Sequence, residues 1–486
     1  MSSQLLVGGD DVNAIVVDYG SSSFRYGHAG EEAPTLVLPM SIGYVEEIIK
    51  VVERNENDDV VMTENLRDGA TTAGNGTSSL SAATTDASNA NGNAVNGEMK
   101  KEKRYIVSSQ ALMNPREGLE IESGVILDGM IDNWDAFYSI MEFALNKHRP
   151  VTSSQHPFLF SEPLWITKNK REQLCELMFE KFKASAFYTV KSPVLTCFAH
   201  GKSSGLVLDS GKIHTTACAV HEGFCLVPTM VRSPLAGDFI SNECRRELER
   251  MKIDLTPQYM IKSKDNVELE QPPKYLKKIA LPKASTAFHE SKVRELVEDF
   301  KQILAVSDAP LHDVNPDGLE AREYEFPTGY HAMFGPERFQ VPEMLFDPSL
   351  IRSGSSAGTA LSGMQMQPPS INSTMGMSNL IQNCLTITDQ DVRPQLWGNI
   401  LISGGNSCIT GFAERISADC TRRSTTSMKL KCTAATGSGP ERSSERLFAP
   451  WTGASILGSL GTFQSMWISR SDYEEAGKGI VGKKCP

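Results

Sequence analysis

The sequence has 486 residues, of which 40% are hydrophobic and 22% are charged, and these fractions are typical of globular proteins. This length suits about three compact domains, or one two-lobed body with insertions. No apolar run approaches the roughly 18 residues of a membrane-spanning helix, so we expect no membrane association. The 59 acidic and 48 basic side chains leave a formal charge of −11. That charge disfavours direct binding to DNA, sequence-specific or not.

The cysteines and the first residues of the chain indicate an intracellular address. Met1-Ser2-Ser3-Gln4 is not followed by the apolar stretch of a signal peptide, so we expect a cytosolic or nuclear protein with reduced thiols. The ten cysteines include no C-x-x-C pair, and the two nearest, Cys218 and Cys225, are seven residues apart. This spacing argues against a zinc ribbon or a redox pair.

The first predicted element is a buried strand at 14–17, an apolar run that leads into Asp18-Tyr19-Gly20-Ser21-Ser22-Ser23. An Asp at a strand end followed by Gly and hydroxyl residues predicts a tight hairpin. Its backbone N–H groups and hydroxyls can hold phosphate oxygens, and its carboxylate can hold the waters of a Mg²⁺ ion. Alone the pattern is weak, because such turns are common in proteins.

Two low-complexity insertions interrupt the chain. Residues 69–97 are almost wholly Gly, Ala, Ser, Thr and Asn, with Asp86 as the only charge, and residues 353–378 carry no charge. Neither segment can bury enough apolar surface to offset the entropy of ordering it, so we expect mobile surface loops. A partner-docking segment that folds on binding is the alternative.

The hairpin pattern recurs about 190 residues after its first occurrence. A helix with an N-cap at Thr167 is predicted between the two occurrences, with an apolar face formed by Leu174, Leu177, Met178 and Phe182. A buried strand at 206–208 then leads into Asp209-Ser210-Gly211, with Thr215 and Thr216 just beyond. Two facing hairpins of this kind would clamp one polyphosphate.

The last predicted elements are a helix and a third strand. The helix starts at about Ser291 and has an apolar face formed by Val293, Leu296, Val297, Phe300, Ile303 and Leu304. The strand at 400–402 ends in Ser403-Gly404-Gly405-Asn406, where missing side chains let a base or ribose approach the backbone. Alternating buried strands and amphipathic helices predict an α/β fold with mixed sheets. The repeated strand ends favour a duplicated fold that clamps a nucleotide.

Two competing motifs fail on their context. Gly201-Lys202-Ser203 resembles the end of a P-loop, but Thr196 stands where that motif requires Gly. The segment at 354–358 matches G-x-S-x-G, yet it lies in the charge-free insertion with no strand before it.

At these hairpins the sequence resembles the actin family, and the resemblance covers nearly the whole chain apart from the two insertions and about 262–275. The matching stretches are Asp18-Tyr19-Gly20-Ser21 through Arg25, Phe160-Ser161-Glu162-Pro163, Gly205 to Gly211, Leu235-Ala236-Gly237-Asp238, Ser403-Gly404-Gly405 and Trp451-Thr452-Gly453-Ala454. The resemblance implies an actin-like two-lobed fold, in which duplicated ribonuclease-H-like domains form four subdomains around a nucleotide cleft. Residues 1–199 with 446–486 would form an outer lobe (subdomains 1 and 2), and residues 200–445 an inner lobe (subdomains 3 and 4).

The same resemblance implies ATP with Mg²⁺ in the cleft. The nucleotide-binding residues carried over from the family pattern are Asp18, Gly20, Ser21, Ser22, Arg25, Asp209, Ser210, Gly211, Lys212, Gly237, Gly404, Gly405 and Asn406. Asp18 and Asp209 would hold the metal ion through its waters.

Within the family, the sequence is most similar to the nuclear members, on cues such as Tyr324-Glu325-Phe326-Pro327 and the ending Lys484-Cys485-Pro486. This resemblance implies a nuclear subunit of chromatin-remodelling and histone-acetyltransferase complexes that regulate transcription and support DNA repair. Its partners would be monomeric actin and a helical scaffold segment of a remodelling ATPase or acetyltransferase subunit, with histones as further candidates.

Departures from the actin pattern predict a protein without catalytic activity. Ser192 stands at the position of the glutamine that orients the attacking water, Thr216 at that of the histidine that supports it, and Lys212 at that of the second phosphate-loop aspartate. Without those orienting groups hydrolysis should be slow or absent. Lys212 can either contact a phosphate or face solvent. Leu447 replaces a lysine at the adenine end, which places ATP affinity in question.

Two further expectations concern assembly. The segment that inserts into the next subunit of an actin filament would lie between about Met40 and Arg104, where the first insertion interrupts it, so we expect no self-polymer. Phe198, Leu457, Leu460 and Phe463 map to the apolar cleft that accepts partner helices in the family. Alternatively, these four side chains are ordinary core.

Two other functions share parts of the pattern. An ATP-hydrolysing enzyme of the sugar-kinase and chaperone superfamily would have the same paired hairpins, but it needs a catalytic or water-orienting side chain, and Ser192 and Thr216 supply neither. A cytoplasmic, filament-forming actin relative is disfavoured by the interrupted segment after Met40.

Overall fold

Buried strands and amphipathic helices alternate through most of the chain, as its apolar pattern predicts. The computed structural model describes residues 14–51, 98–148, 150–351, 374–423, 432–433 and 440–486. The predicted insertion at 69–97 and residues 353–373 of the second insertion lie outside these ranges. The end of the second predicted insertion is not a loop, because Met377 and Ser378 are buried in the first turn of a helix.

The first part of the chain carries one mixed sheet and two smaller antiparallel ones. Its elements are β1 (Ile15–Tyr19), β2 (Ser23–His28), β3 (Leu36–Pro39), β4 (Ile42–Val51), β5 (Glu98–Ile106), β6 (Glu120–Glu122), β7 (Ile126–Leu127), β8 (Met130–Ile131), α1 (Trp134–Phe143), β9 (Pro157–Glu162), α2 (Lys168–Glu176), β10 (Ala186–Lys191) and α3 (Ser192–Ala199). In the mixed sheet β1 lies between β9, to which it is parallel, and β2, to which it is antiparallel. All five residues of β1 are buried, because helices cover both faces of a parallel sheet.

The second part repeats this arrangement. Its elements are β11 (Gly205–Ser210), β12 (Thr215–His221), β13 (Phe224–Cys225), β14 (Val231–Ser233), α4 (Gly237–Arg250), β15 (Ile261–Lys264), β16 (Tyr275–Lys277), α5 (Thr286–Phe300), β17 (Arg322–Glu325), β18 (His331–Phe334), α6 (Glu337–Glu343), α7 (Met377–Ile387), α8 (Arg393–Trp397), β19 (Ile400–Ser403), α9 (Phe412–Arg423) and β20 (Cys432–Thr433). Here β11 lies between β12, antiparallel, and β19, parallel. The pairing of β1 with its neighbours therefore recurs at β11.

The last part returns to the first sheet, and we call the bodies built on the first and second sheets the outer and inner lobes. The closing elements are α10 (Pro440–Ser459), β21 (Ile468–Ser469), α11 (Arg470–Ala476) and α12 (Val481–Lys484). Strand β21 pairs with β10 at the edge of the first sheet. Helix α10 packs against α3 and β1 of the outer lobe and also against β19 of the inner lobe.

A glycine allows α10 and α3 to cross at close range. A Cβ atom at Gly453 would overlap the carbonyl oxygen of Leu195 in α3, so only glycine fits this crossing. Two residues earlier, Trp451 is fully buried and its indole Nε1–H donates to the carbonyl oxygen of Val16 at 3.3 Å. Helix α10 is thereby fixed to both α3 and β1.

The strands predicted at 14–17, 206–208 and 400–402 are confirmed as β1, β11 and β19, with bounds shifted by one or two residues. The N-cap at Thr167 is also confirmed, since its side chain accepts a hydrogen bond from Lys170 N. The helix predicted from about Ser291 begins earlier, at Thr286, where Ser285 caps it. Among the described residues, no helix combines the length and apolar character needed to cross a membrane.

Candidate functional site

The two predicted hairpins face one cleft. In the first, Asp18 lies opposite Arg25, and Gly20 N donates to Ser23 O at 3.0 Å. In the second, Asp209 lies opposite Thr216, and Gly211 N donates to His214 O at 3.0 Å. Both turns line a cleft of about 1230 Å³. The repeat seen in the sequence is therefore a repeat of backbone geometry, with one carboxylate from each lobe at the same cavity.

Twelve of the thirteen residues carried over as nucleotide contacts line this cleft: Asp18, Gly20, Ser21, Ser22, Arg25, Asp209, Gly211, Lys212, Gly237, Gly404, Gly405 and Asn406. Ser210 does not line it. Its side chain is fully buried, its hydroxyl lies 2.8 Å from that of Thr215, and it accepts from Asn406 Nδ2 at 3.0 Å. Successive strand side chains point to opposite faces, so the neighbour of a cleft-facing Asp209 turns inward.

The carboxylates of the two lobes have different surroundings. Both oxygens of Asp18 are engaged, one by the Arg25 guanidinium and the other by the Ser161 hydroxyl. Within the described residues, Asp209 receives one hydrogen bond from a side chain, a long one of 3.4 Å from the Ser403 hydroxyl. Burial, and then the charge of Asp18, raise the pKa of Asp209 to about 6. A carboxylate in this setting favours a nearby positive charge.

The residues of the cleft fit the phosphates of ATP better than they fit a metal ion. The hairpins present backbone N–H groups and the hydroxyls of Ser21 and Ser22 to the cavity, which suits phosphate oxygens. For the metal ion, Asp18 is already neutralised by Arg25. In the described part of the chain no three His, Cys, Asp or Glu side chains cluster as a metal site. The residues present fit a polyphosphate better than they fit a cation held by two free carboxylates.

The side chain of Lys212 points across the cleft. The alternative of a lysine that faces solvent is therefore wrong. The Nζ atom of Lys212 donates to the carbonyl oxygen of Ser21, in the opposite hairpin, at 3.3 Å. The first residues of α4 fix the backbone on either side, because Gly237 N donates to Gly211 O at 3.0 Å and Asp238 N donates to Lys212 O at 2.7 Å. Burial lowers the pKa of Lys212 against the opposing charge of Asp238. A positive side chain therefore spans the gap between the lobes.

The first glycine after the third strand has a packing role that the sequence did not predict, and its predicted contact with a nucleotide stays a prediction. Gly404 has φ +90°, and a Cβ there would overlap the Ser210 carbonyl oxygen and stand 2.5 Å from Asp209 Oδ1. The close approach is therefore between β19 and the second hairpin, in addition to any contact with a ligand. Asn406 completes this packing by donating from Nδ2 to Gly211 O at 2.7 Å. At the far end, Leu447 lines the cleft.

The two positions that orient water in the family differ in their placement. Ser192 lines the cleft, but its hydroxyl donates to the carbonyl oxygen of Glu162 at 2.9 Å. Thr216 is buried in β12, where it pairs with Arg232 of β14, and it is not part of the cleft wall. Neither side chain presents a free amide or imidazole to the cavity.

Part of the cleft was not found from the sequence. The polar side of α5 and the turn after it contribute Lys292, Arg294, Glu298 and Lys301 to the wall, opposite the apolar face that buries Val293. The signal was present, since Arg294, Glu298 and Lys301 recur at four- and three-residue spacing. Only the folded chain shows that this face meets the hairpins.

A contact between the lobes at the cleft wall was also missed. Asp128 Oδ1, in the β7–β8 turn, lies 2.6 Å from His214 Nε2 and 3.0 Å from Arg232 Nη1. Trp165 donates from Nε1 to the Asp128 carbonyl oxygen at 2.6 Å, and the Arg232 guanidinium lies 5.0 Å from the centre of the Trp165 ring. We call Asp128, Trp165, His214 and Arg232 the interlobe clasp. The Asp128-Gly129 dipeptide predicts the turn, but nothing local predicts the partners.

The four residues assigned to a partner-helix cleft divide into core and surface. Leu457 and Phe463 are only 9% and 6% exposed and belong to the outer-lobe core, which corrects their assignment to a surface. Phe198 is half-buried against the same core. Leu460 is 40% exposed, and Ile456 and Met466, which flank it in sequence, are exposed as well. The accessible large apolar side chains of this segment are therefore Ile456, Leu460 and Met466.

Comparison with known proteins agrees with this geometry over the whole chain. The family model described as Actin matches residues 9–486. Actin-related protein 4 of Arabidopsis thaliana is 34% identical over 99% of this chain and 100% of its own length. Actin-related protein 4 of Mycosarcoma maydis is 32% identical over 98% and 99%, and that of Schizosaccharomyces pombe is 30% identical over 98% of each. The chain, with its two lobes and duplicated hairpins, belongs to the actin family.

Proposed function

We propose that this actin-related protein is a non-catalytic nuclear subunit that holds ATP as a structural ligand in chromatin-remodelling and histone-acetyltransferase assemblies. The observation that carries the non-catalytic part is the state of the cleft. Both phosphate hairpins are in place, whereas Ser192 stands at the position of the water-orienting amide with its hydroxyl bonded to Glu162 O. A cleft of this kind can bind a nucleotide, but at Ser192 and Thr216 it lacks the amide and the imidazole that direct water at the γ-phosphate in the family pattern.

A structural role for ATP follows from the position of the cleft between the lobes. A ligand that contacts Ser21 in one hairpin and Gly211 in the other stabilises the closed arrangement by the free energy of its binding. When bound, ATP would supply polyphosphate oxygens for the hairpin N–H groups. Thermal denaturation of nucleotide-stripped protein tests this, and we expect the melting temperature to rise on addition of ATP. An unchanged melting temperature at saturating ATP would contradict it.

The nuclear assignment rests on resemblance to the nuclear members of the family. The partners we propose are monomeric actin and a helical segment of the large scaffold subunit, with histones as further candidates and no direct contact with nucleic acid. The exposed apolar side chains of Ile456, Leu460 and Met466, at the C-terminal end of α10 and just beyond it, are suited to an amphipathic helix, since the residues between them include the core residues Leu457 and Phe463.

Affinity purification with identification of co-purified subunits tests this assignment. We expect Leu460→Asp to lose the scaffold subunit and keep its fold, because Leu460 is exposed. Leu276→Asp is the matched control, since Leu276 is an exposed leucine on β16 of the inner lobe. Recovery of cytoplasmic motor or chaperone proteins alone would overturn the nuclear proposal.

Hydrolysis and polymerisation are tested on the purified protein. We expect no ATP hydrolysis above the rate measured in buffer without protein. Hydrolysis at rates typical of sugar kinases would favour the alternative of an ATP-hydrolysing enzyme of the sugar-kinase and chaperone superfamily. We also expect the protein to remain in the supernatant after sedimentation under polymerising salt. Pelleted filaments would favour the alternative of a filament-forming actin relative.

A further inference from the structure

The cleft contains a built-in cation at the point where the two hairpins meet. We propose that Lys212 provides the positive charge for the nucleotide phosphates, so that ATP binds with little dependence on a divalent metal ion. This inference rests on the proposed binding of ATP. It concerns what neutralises the phosphates once the nucleotide is in the cleft.

The outer-lobe carboxylate is already paired. Asp18 is 4% exposed, and its two oxygens are occupied by Arg25 and by Ser161. A metal ion in a phosphate clamp is held through waters that donate to carboxylate oxygens. The Arg25 guanidinium, in a largely buried ion pair with Asp18, already balances the charge of this carboxylate, so Asp18 attracts a hydrated metal ion less than an unpaired carboxylate would.

The other cations at the cleft are already paired. Four of them are neutralised within the described residues, in the pairs Arg25–Asp18, Lys292–Glu295 (2.7 Å), Arg294–Asp238 (3.9 Å) and Lys301–Glu298 (2.9 Å). Among the described residues Lys212 makes no direct ion pair, although the charges of Asp238 and Glu298 act on it, and its ammonium donates to the Ser21 carbonyl oxygen. An ammonium group has three donors, so it can keep this contact and still donate to phosphate oxygens.

Lys212 is held at the point where the two hairpins meet. The backbone of Lys212 is held by the N-terminus of α4, and that of Gly211 by α4 and Asn406. The side chain crosses to the outer-lobe turn, where Ser21 and Ser22 offer hydroxyls. An ammonium there lies between the two groups of phosphate donors. Lysine binds phosphate as a point charge in other phosphate loops, and a divalent ion a few ångströms away would be repelled by it.

Isothermal titration calorimetry of nucleotide-stripped protein with ATP, in excess EDTA and in excess MgCl₂, tests the proposal. We expect the wild-type dissociation constant to differ by less than about threefold between the two buffers. Lys212→Gln should weaken binding in EDTA by about tenfold or more, since it removes a charge-assisted contact. Lys212→Arg should retain most of the affinity.

Two controls separate binding from folding. Lys277→Gln removes an exposed lysine of β16 and should leave both dissociation constants unchanged. The circular dichroism and melting temperature of nucleotide-free Lys212→Gln show whether the variant is folded, and Lys212→Arg keeps the test valid if it is not.

The outcomes distinguish the metal-independence of ATP binding from ATP binding itself. If wild-type protein binds ATP in MgCl₂ and loses more than about tenfold in EDTA, the metal-independence inference is wrong and the proposed nucleotide binding stands. If folded Lys212→Gln binds as wild type in EDTA, Lys212 is not the cation and the inference is again wrong. If wild-type protein binds ATP in neither buffer, the proposed function itself fails.

Discussion

Asp128 and His214 join the two lobes at the wall of the cleft, with Asp128 Oδ1 2.6 Å from His214 Nε2. The two residues are 86 positions apart in the chain, and each lies in a turn between two antiparallel strands. Arg232 reaches the same carboxylate oxygen at 3.0 Å. The carboxylate of one lobe thus receives two donors from the other, and an interlobe contact exists that needs no ligand.

We expect Asp128→Asn to destabilise the ligand-free protein. The substitution keeps the size of the side chain but removes the charge that attracts Arg232, and His214 keeps at most a neutral hydrogen bond. The free energy of unfolding should fall by about 1–2 kcal/mol, because a charge-assisted contact is lost but its strength is reduced by partial exposure to solvent. Calorimetry would detect this loss as a lower melting temperature. Asp132→Asn is the matched control, because Asp132 pairs with Lys170 at 3.2 Å within the outer lobe. Equal effects of the two substitutions would contradict an interlobe role.

The same contact predicts a dependence of stability on pH. Burial raises the pKa of Asp128, but the hydrogen bond from His214 and the charge of Arg232 outweigh it and hold the pKa below its usual value. A carboxyl whose pKa is lowered by folding stabilises the native state above its unfolded pKa of about 3.9, and this stabilisation is lost as the pH falls through the folded pKa. The difference in melting temperature between wild type and Asp128→Asn should therefore be full above about pH 5 and shrink below about pH 4. A difference that stays constant over this range would argue against the mechanism.

A buried ion pair stabilises the inner lobe. Arg415 of α9 and Glu343 of α6 are 3% and 2% exposed, and two guanidinium nitrogens donate to the two carboxylate oxygens at 2.9 Å and 2.8 Å. Glu343→Gln should cost about 3–5 kcal/mol, because it leaves part of the buried charge of Arg415 without its partner. Urea denaturation measures the loss. Glu249→Gln, which removes an exposed partner of Arg245, should change stability by less than about 1 kcal/mol.

Gly404→Ala should damage both the fold and the cleft. The added methyl group would overlap the Ser210 carbonyl oxygen, and the backbone at φ +90° disfavours any side chain. We expect a loss of at least about 2 kcal/mol of stability together with weaker ATP binding, measured by denaturation and calorimetry. Gly461→Ala is the control, since a Cβ at that position has no neighbour within 4 Å. A Gly404→Ala protein as stable as wild type would show that β19 can move away from the second hairpin.

The sequence predicted the parts of the cleft that depend on local chemistry. The hairpins at Asp18 and Asp209 follow from a strand, an acid and a glycine in order, and those features are local. Ser210 was wrongly assigned to the cleft because the family pattern names a position, whereas the alternation of a strand decides the direction of its side chain. The same holds for Leu457 and Phe463, whose apolar character fits a core and a surface equally well.

Contacts between distant segments could not be predicted from the pattern. The partners of Asp128 lie on the other lobe, and no periodicity connects a turn at 128 with one at 214. The direction of the Lys212 side chain could not be predicted for the same reason. The sequence places the residue in the second hairpin but does not give the distance between the two hairpins. These contacts depend on how the lobes close, which is decided by packing along the whole chain.

The crossing of α10 and α3 at Gly453 has a consequence for how the lobes can move. Helix α3 leads directly into the inner lobe, and α10 leads back from it, so both passages of the chain between lobes run beside each other at this crossing. The movement of lowest cost is then a rotation about a single hinge. The Asp128–His214 and Lys212–Ser21 contacts both resist that rotation. The losses of stability on removing each contact should therefore be non-additive, since one opening of the lobes breaks both contacts. A ligand in the cleft would oppose the same rotation.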